Sequence, residues 1–159
     1  MKRRYNKRLD IASRYERARR RNMVSSRPGL HDCIVVLDSL KPDFNIGKIF
    51  RSADAFGARE IHLVGVPSFD PEPAKGSVRW VSFQSYEDFP ACYAALTQAG
   101  YSFAVLEPGG SNLLGVCPLP KYTAFVFGHE EFGLSFDPQA YPDILRLSIP
   151  QWGHVQSLN

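Results

Sequence analysis

Three short stretches set polar side chains beside glycine-bearing turns. Asn45-x-Gly47-x-x-x-Arg51 opens a segment of helical spacing, Gly128-x-Glu130-x-x-Gly133 follows an apolar run, and Ile149-Pro150-x-x-Gly153-x-x-x-Ser157-Leu158-Asn159 closes the sequence. Together they offer two amides, a guanidinium, a carboxylate and a hydroxyl. Glycines in such turns let backbone amides and carbonyls approach a ligand. Asn45 stands where an N-cap would, with Gly47 allowing close approach and Arg51 less than two turns further on. A helix N-terminus backed by an arginine is a natural phosphate site; alone, the stretch reads equally well as a capped helix with a surface arginine. In the second stretch Glu130 suits backbone N–H groups or a partner arginine, but Gly-His-Glu-Glu-Phe-Gly is also an ordinary strand-to-helix turn with acidic residues at the helix start. The third is a strand ending in a Pro-Gly turn, and no simple fold rule requires the Ser-Leu-Asn that follows. His31, His62, His129 and His154 show no metal-ligand spacing, and His129 and His154 read as loop histidines inside the second and third stretches. No Gly-x-Gly-x-x-Gly follows a strand, so a dinucleotide fingerprint is missing.

The elements that must carry these residues follow from apolar patterning. Residues 5–22 have the pattern of a basic helix, and 25–29 that of a linker. Apolar runs predict strands at 34–38, 61–64, 79–83, 101–106, 123–127 and 145–149. Ile46, Ile49, Phe50, Ala53 and Phe56 follow helical spacing, with Gly57 as a stop; residues 86–98 predict a second helix with Pro90 in its first turns. Residues 67–75 and 108–112 read as loop and turn. Strands alternating with helices imply an α/β fold with a mostly parallel sheet and flanking helices.

At 159 residues, 44% hydrophobic and with eleven Phe, the chain is sized for one domain with a real core. No apolar run approaches the roughly 20 residues of a membrane span, and the charged N-terminus has no apolar segment behind it, unlike a secretory signal. Cys33, Cys92 and Cys117 fit neither a zinc spacing nor a disulfide framework, and read as reduced thiols in a cytoplasmic protein. Residues 1–30 carry eleven Lys or Arg against Asp10 and Glu16, a net +9; the whole chain carries +3, which leaves −6 for the other 129 residues. A basic N-terminal arm, residues 1–30, on a mildly acidic domain, residues 31–159, points to a polyanion, and the arginines favour nucleic acid because their forks grip phosphate.

Taken together, in this order and spacing, the three stretches resemble the motifs of the SpoU-type (TrmH-like) RNA 2′-O-ribose methyltransferases of the SPOUT superfamily, from Asp32 to Asn159. The resemblance implies a C-terminal trefoil knot, S-adenosyl-L-methionine as methyl donor, and a homodimer with the active site at the subunit interface. It implies a cofactor pocket lined by Leu106, Gly128, Ile149 and Leu158, and catalytic roles for Asn45, Arg51, Glu130, Ser157 and Asn159. Arg51 is either the base that deprotonates the ribose hydroxyl or a ligand of the adjacent phosphate; Arg3, Arg4, Arg19, Arg20 and Arg21 would join it in holding tRNA or rRNA. Neither a metal nor a membrane is expected. Family members continue past the third motif into a helix that completes the knot, whereas this sequence ends at Asn159, so the pocket is expected to lack a wall in this form. Gln151 replaces the more usual methionine of the third motif. The alternative of a different class is an RNA-binding protein that keeps the fold without turnover.

Overall fold

The computed structural model describes residues 7–153, with side chains from Leu9 onward. Ile34, Val35, Val36 and Leu37 form the middle of strand β1, His31–Asp38, and alternate between two cores. Leu37 faces helix α2, Phe44–Phe56, where it meets Ile46, Phe50, Ala53 and Phe69. Ile34 and Val36 face helix α3, Phe89–Gln98, and join Phe89, Cys92, Leu96, Phe103 and Val105. Burial on both sides explains why the strand reads as a continuous apolar run rather than an alternation.

The other strands are β2, Ala58–Val64; β3, Phe83–Tyr86; β4, Ser102–Leu106; β5, Asn112–Leu113; β6, Thr123–Phe127; and β7, Leu145–Ser148. They form one seven-stranded sheet in the order β3-β2-β1-β6-β4-β7-β5, with every neighbouring pair parallel. The α/β fold with a parallel sheet is as expected. From β1 the chain builds outward through β2 and β3, then crosses to the other side, where β6 lies next to β1. The carboxyl ends of β1 and β6 therefore flank the point where strand order reverses, the usual ligand crevice of an open parallel sheet. The trefoil knot depends on residues outside those described.

Helix α1, Lys7–Ser25, packs on the α2 side of the sheet. Tyr15 is only 2% exposed, with its ring 5.2 Å from Phe69. The Asn22 amide donates to the carbonyls of Val78 and Val81 at 2.6 and 2.7 Å. Arg14 meets Glu72 at 2.6 Å, Asp10 at 3.1 Å and Asp70 at 3.4 Å. The region read as a basic arm thus contributes a docked helix.

Three local expectations need correction. Residues 79–83 are not a strand: a 3-10 turn spans Ser77–Arg79 and β3 starts only at Phe83, because the carbonyls of Val78 and Val81 bond Asn22 of α1. Phe56 follows the helical spacing of Ile46, Phe50 and Ala53 but does not share their burial: at 77% exposed it sits at the helix end, just before Gly57 turns the chain away with φ 66. The N-cap of α2 is Asp43, whose carboxylate accepts the Phe44 N–H at 2.6 Å, and Asn45 is already in the first turn. Among the described residues no helix is long and apolar enough to cross a membrane.

Candidate active site

The switch point places two loops face to face. One runs from β1 to α2 and the other leaves β6. The Asn45 amide donates to Glu130 Oε1 at 2.7 Å, joining the first motif to the second. Lys41 Nζ lies 3.3 Å from Glu131 Oε2. Deeper in, the Asp38 carboxylate accepts the Ser135 N–H at 2.6 Å and the Ser135 hydroxyl at 2.7 Å. The contacts grow more buried from Lys41 inward to Asp38, which is wholly enclosed.

No helix follows β6, contrary to the strand-to-helix reading of this segment. The chain instead folds back: His129 and Gly133 exchange backbone hydrogen bonds of 2.7 and 2.9 Å. His129 Nδ1 accepts the N–H groups of Glu131 and Phe132 at 3.0 and 3.2 Å, so the ring closes the turn. Two glycines expected to admit a ligand serve the fold as well. A Cβ on Gly128 would lie 2.5 Å from the Gly133 carbonyl carbon. One on Gly47 would lie 2.8 Å from the Ala74 nitrogen, so a side chain there would push the 3-10 turn Glu72–Ala74 off α2. Burial pushes the Glu130 carboxyl up, but hydrogen bonds from Asn45 and backbone N–H groups, with the neighbouring His129, outweigh it and hold the group below its ordinary value. It is an acceptor at neutral pH.

Leu106, Gly128 and Ile149 end or directly follow β4, β6 and β7, three adjacent strands in the order β6-β4-β7. Neighbouring strands lie about 4.8 Å apart, so the three positions form a row about 10 Å wide. Phe127 and Ile149 leave apolar surface beside it, and Arg146 pairs with Glu107 at the same edge. Arg51 is separate: six residues beyond Asn45, it lies about 9 Å along the helix axis and roughly 120° around it. It is exposed, and its guanidinium has no hydrogen bond or ion pair among the described residues. Arg19, Arg20 and Arg21 are exposed on α1. Arg3, Arg4, His154, Ser157, Leu158 and Asn159 lie outside the described residues.

Sequence reasoning missed Asp38, Ser135, Lys41 and Glu131. Only Asp38 carried a signal, as a charged residue ending an apolar run. Among the described residues no group of three or more His, Cys, Asp or Glu side chains is placed to hold a metal ion. A groove of about 530 Å³ at the other end of the sheet, lined by Glu60, His62, Tyr86 and Tyr122 among others, contains none of the motif residues.

An open parallel sheet with loop ends gathered at its switch point is the architecture of a known class of solved structures. The SpoU methyltransferase AviRb from Streptomyces viridochromogenes, in complex with the cofactor AdoMet, superposes with a TM-score of 0.68 at 24% identity, over 83% of this chain and 54% of that one. The model of the SpoU rRNA Methylase family matches residues 32–159, and the chain belongs to that family. It is similar to the 23S rRNA (guanosine-2′-O-)-methyltransferase RlmB of Neisseria meningitidis, 28% identical over 136 residues, 79% of this chain and 52% of that one. It is similar also to the tRNA (guanosine(18)-2′-O)-methyltransferase of Borreliella burgdorferi, 27% identical over 129 residues, 78% of this chain and 58% of that one. The chain thus spans little more than half the length of these relatives.

Proposed function

We propose that this chain transfers a methyl group from S-adenosyl-L-methionine to a ribose 2′-hydroxyl of tRNA or rRNA. The observation that carries the reading is the family match across residues 32–159. The geometry supports it, because the first two motifs meet through Asn45 and Glu130 at the switch point.

The cofactor fits the row formed by Leu106, Gly128 and Ile149, with Leu158 as a fourth member. Loop backbone at the carboxyl ends of adjacent strands offers donors and acceptors for an adenine edge, and Phe127 and Ile149 flank it with apolar surface. When bound, the sulfonium supplies an already activated methyl group. The protein's part is to align the hydroxyl, whose proton passes to solvent water as its oxygen takes up the methyl group. With its Nδ2 held by Glu130, Asn45 turns a fixed carbonyl oxygen toward an incoming hydroxyl. Arg51, exposed and with its fork open, suits the phosphate next to that ribose, since a guanidinium keeps its proton. Ser157 and Asn159 complete the proposed set.

Residues 1–30 act as the RNA-gripping arm and 31–159 as the methyltransferase domain. Arg3, Arg4, Arg19, Arg20 and Arg21 take phosphates, and Arg51 works at the ribose. We assign a homodimer working in the cytoplasm. Supporting the dimer, Arg51 stands apart from the Asn45–Glu130 pair of its own chain, and Phe127, Phe132 and Trp152 are exposed.

Incubation with methyl-tritiated S-adenosylmethionine and bulk tRNA or rRNA tests the reading. Label is expected in 2′-O-methylated nucleosides after digestion. RNA binding with no transfer to any RNA would make the protein a binder without turnover.

A further inference from the structure

Asp38 ends β1 and is fully buried. A carboxylate persists in such a place only with donors around it. Two come from a loop 97 residues further on, the Ser135 N–H at 2.6 Å to Oδ2 and the Ser135 hydroxyl at 2.7 Å to Oδ1, and the adjacent Ser39 hydroxyl lies 3.4 Å from Oδ1. We propose that the Asp38–Ser135 pair is a positioning device that sets the Glu130 turn against Asn45. The inference rests on the methyl-transfer reading of the site.

The turn from Gly128 to Leu134 is closed on itself by the His129–Gly133 exchange and by His129 Nδ1. It therefore moves as a unit, and its direction is set where it is tied to the rest of the molecule. At one end it continues β6. At the other end Ser135 is bound to Asp38. The other ties are the packing of Leu134 on the α3-side core, which is non-directional, the exposed Lys41–Glu131 pair, of a kind that contributes little, and the Asn45–Glu130 bond itself. Hydrogen bonds to a buried carboxylate are the strong kind. Asp38 and Ser135 touch no reacting atom in this scheme; they act through Glu130.

Ser135→Ala removes the hydroxyl and keeps the N–H, whereas removing the buried carboxylate would strip several donors at once and endanger the fold. Ser135→Thr restores a hydroxyl. In Ser135→Ala the kcat for methyl transfer should fall about tenfold, within the range of couplings inside one network, with KM for RNA nearly unchanged. The Asn45 side-chain amide resonances should move toward their positions in Glu130→Ala. Ser135→Thr should recover both. Adding Ser135→Ala to Glu130→Ala should cost nothing further in kcat. Unchanged Asn45 resonances in Ser135→Ala, or a double variant whose losses simply multiply, would overturn the proposal. If the wild-type chain methylates no RNA, the methyl-transfer reading falls, and the Asn45 resonances still decide whether Ser135 sets the turn.

Discussion

Two sets of polar groups in this molecule are treated in opposite ways. At the switch point Asn45 is bound to Glu130 and Asp38 to Ser135. On the helices Arg51, Arg19, Arg20 and Arg21 stand exposed, with no ion pair among the described residues. The contrast runs even within α1, where Arg14 is tied to three carboxylates and holds the helix to the domain. Groups that orient a reaction benefit from being fixed in advance. Groups that grip a polyanion must keep their forks open for it. Arrangement therefore separates the basic residues that hold the fold from those left open to a polyanion, which charge counting alone does not.

The largest effect is expected from an open group. Arg51→Ala should lower methyl transfer by about 100-fold or more, as removal of one key charge-stabilising donor does, while binding of S-adenosylhomocysteine by calorimetry stays nearly unchanged. Arg51→Lys should recover little, since ammonium lacks the fork. Near wild-type turnover in Arg51→Ala would take the residue out of the reaction.

Next is the docked side of α1. Tyr15→Ala should destabilise the fold by about 3 kcal/mol through the cavity it leaves beside Phe69. Asn22→Ala should cost about 2 kcal/mol by leaving the Val78 and Val81 carbonyls without their donor. Denaturant melts of both variants check this. A loss under about 0.5 kcal/mol in each, the size of an ordinary surface change, would mean that the helix is a loosely attached arm after all.

The exposed side of the same helix should behave differently. Replacing Arg19, Arg20 and Arg21 together by Ala should leave the melt nearly unchanged. It should flatten the log–log salt dependence of RNA binding by about 2, for a slope near −0.7 to −0.9 per phosphate contact. An unchanged slope would make these arginines a solvated surface.

Sequence legibility follows the same division. The core strands were readable because Ile34–Leu37 and Ala124–Phe127 are apolar runs between turns, and the helix at Phe44–Phe56 because Ile46, Phe50 and Ala53 repeat at helical spacing. The cap was misplaced because Asp43 and Asn45 both suit it, and only Asp43 has the geometry. Gly47 and Gly128 were readable as special but not in purpose, since what they make room for, Ala74 and Gly133, depends on how other segments fold. Trp80 and Val81 looked like strand because of their shape, and Asn22, distant in sequence, overrode that preference. Of the site, the Asn45 and Glu130 motifs were legible, and the Asp38–Ser135 anchor was not, because a contact across 97 residues leaves no local pattern.

The smallest effects concern titration. The folded Glu130 carboxyl lies below its ordinary value, so its tie to Asn45 is complete at neutral pH and is weakened only as pH falls through that depressed value. The Asn45 amide resonances should hold steady from neutral pH to about pH 5, above the free carboxylate range. Movement above that range would mean that the junction does not depend on the Glu130 charge. Burial pushes the Cys92 thiol up to about 12, so it should resist alkylation in the native protein.

The central claim is that the fixed Asn45–Glu130 junction serves methyl transfer to a ribose hydroxyl. Its most direct test is ribose-methylation mapping of tRNA and rRNA from cells whose only copy of the gene encodes either the wild-type chain or Asn45→Ala. The account predicts that a 2′-O-methyl group present with the wild type is lost with the variant while both proteins accumulate equally. An identical ribose-methylation map in the two strains would contradict it.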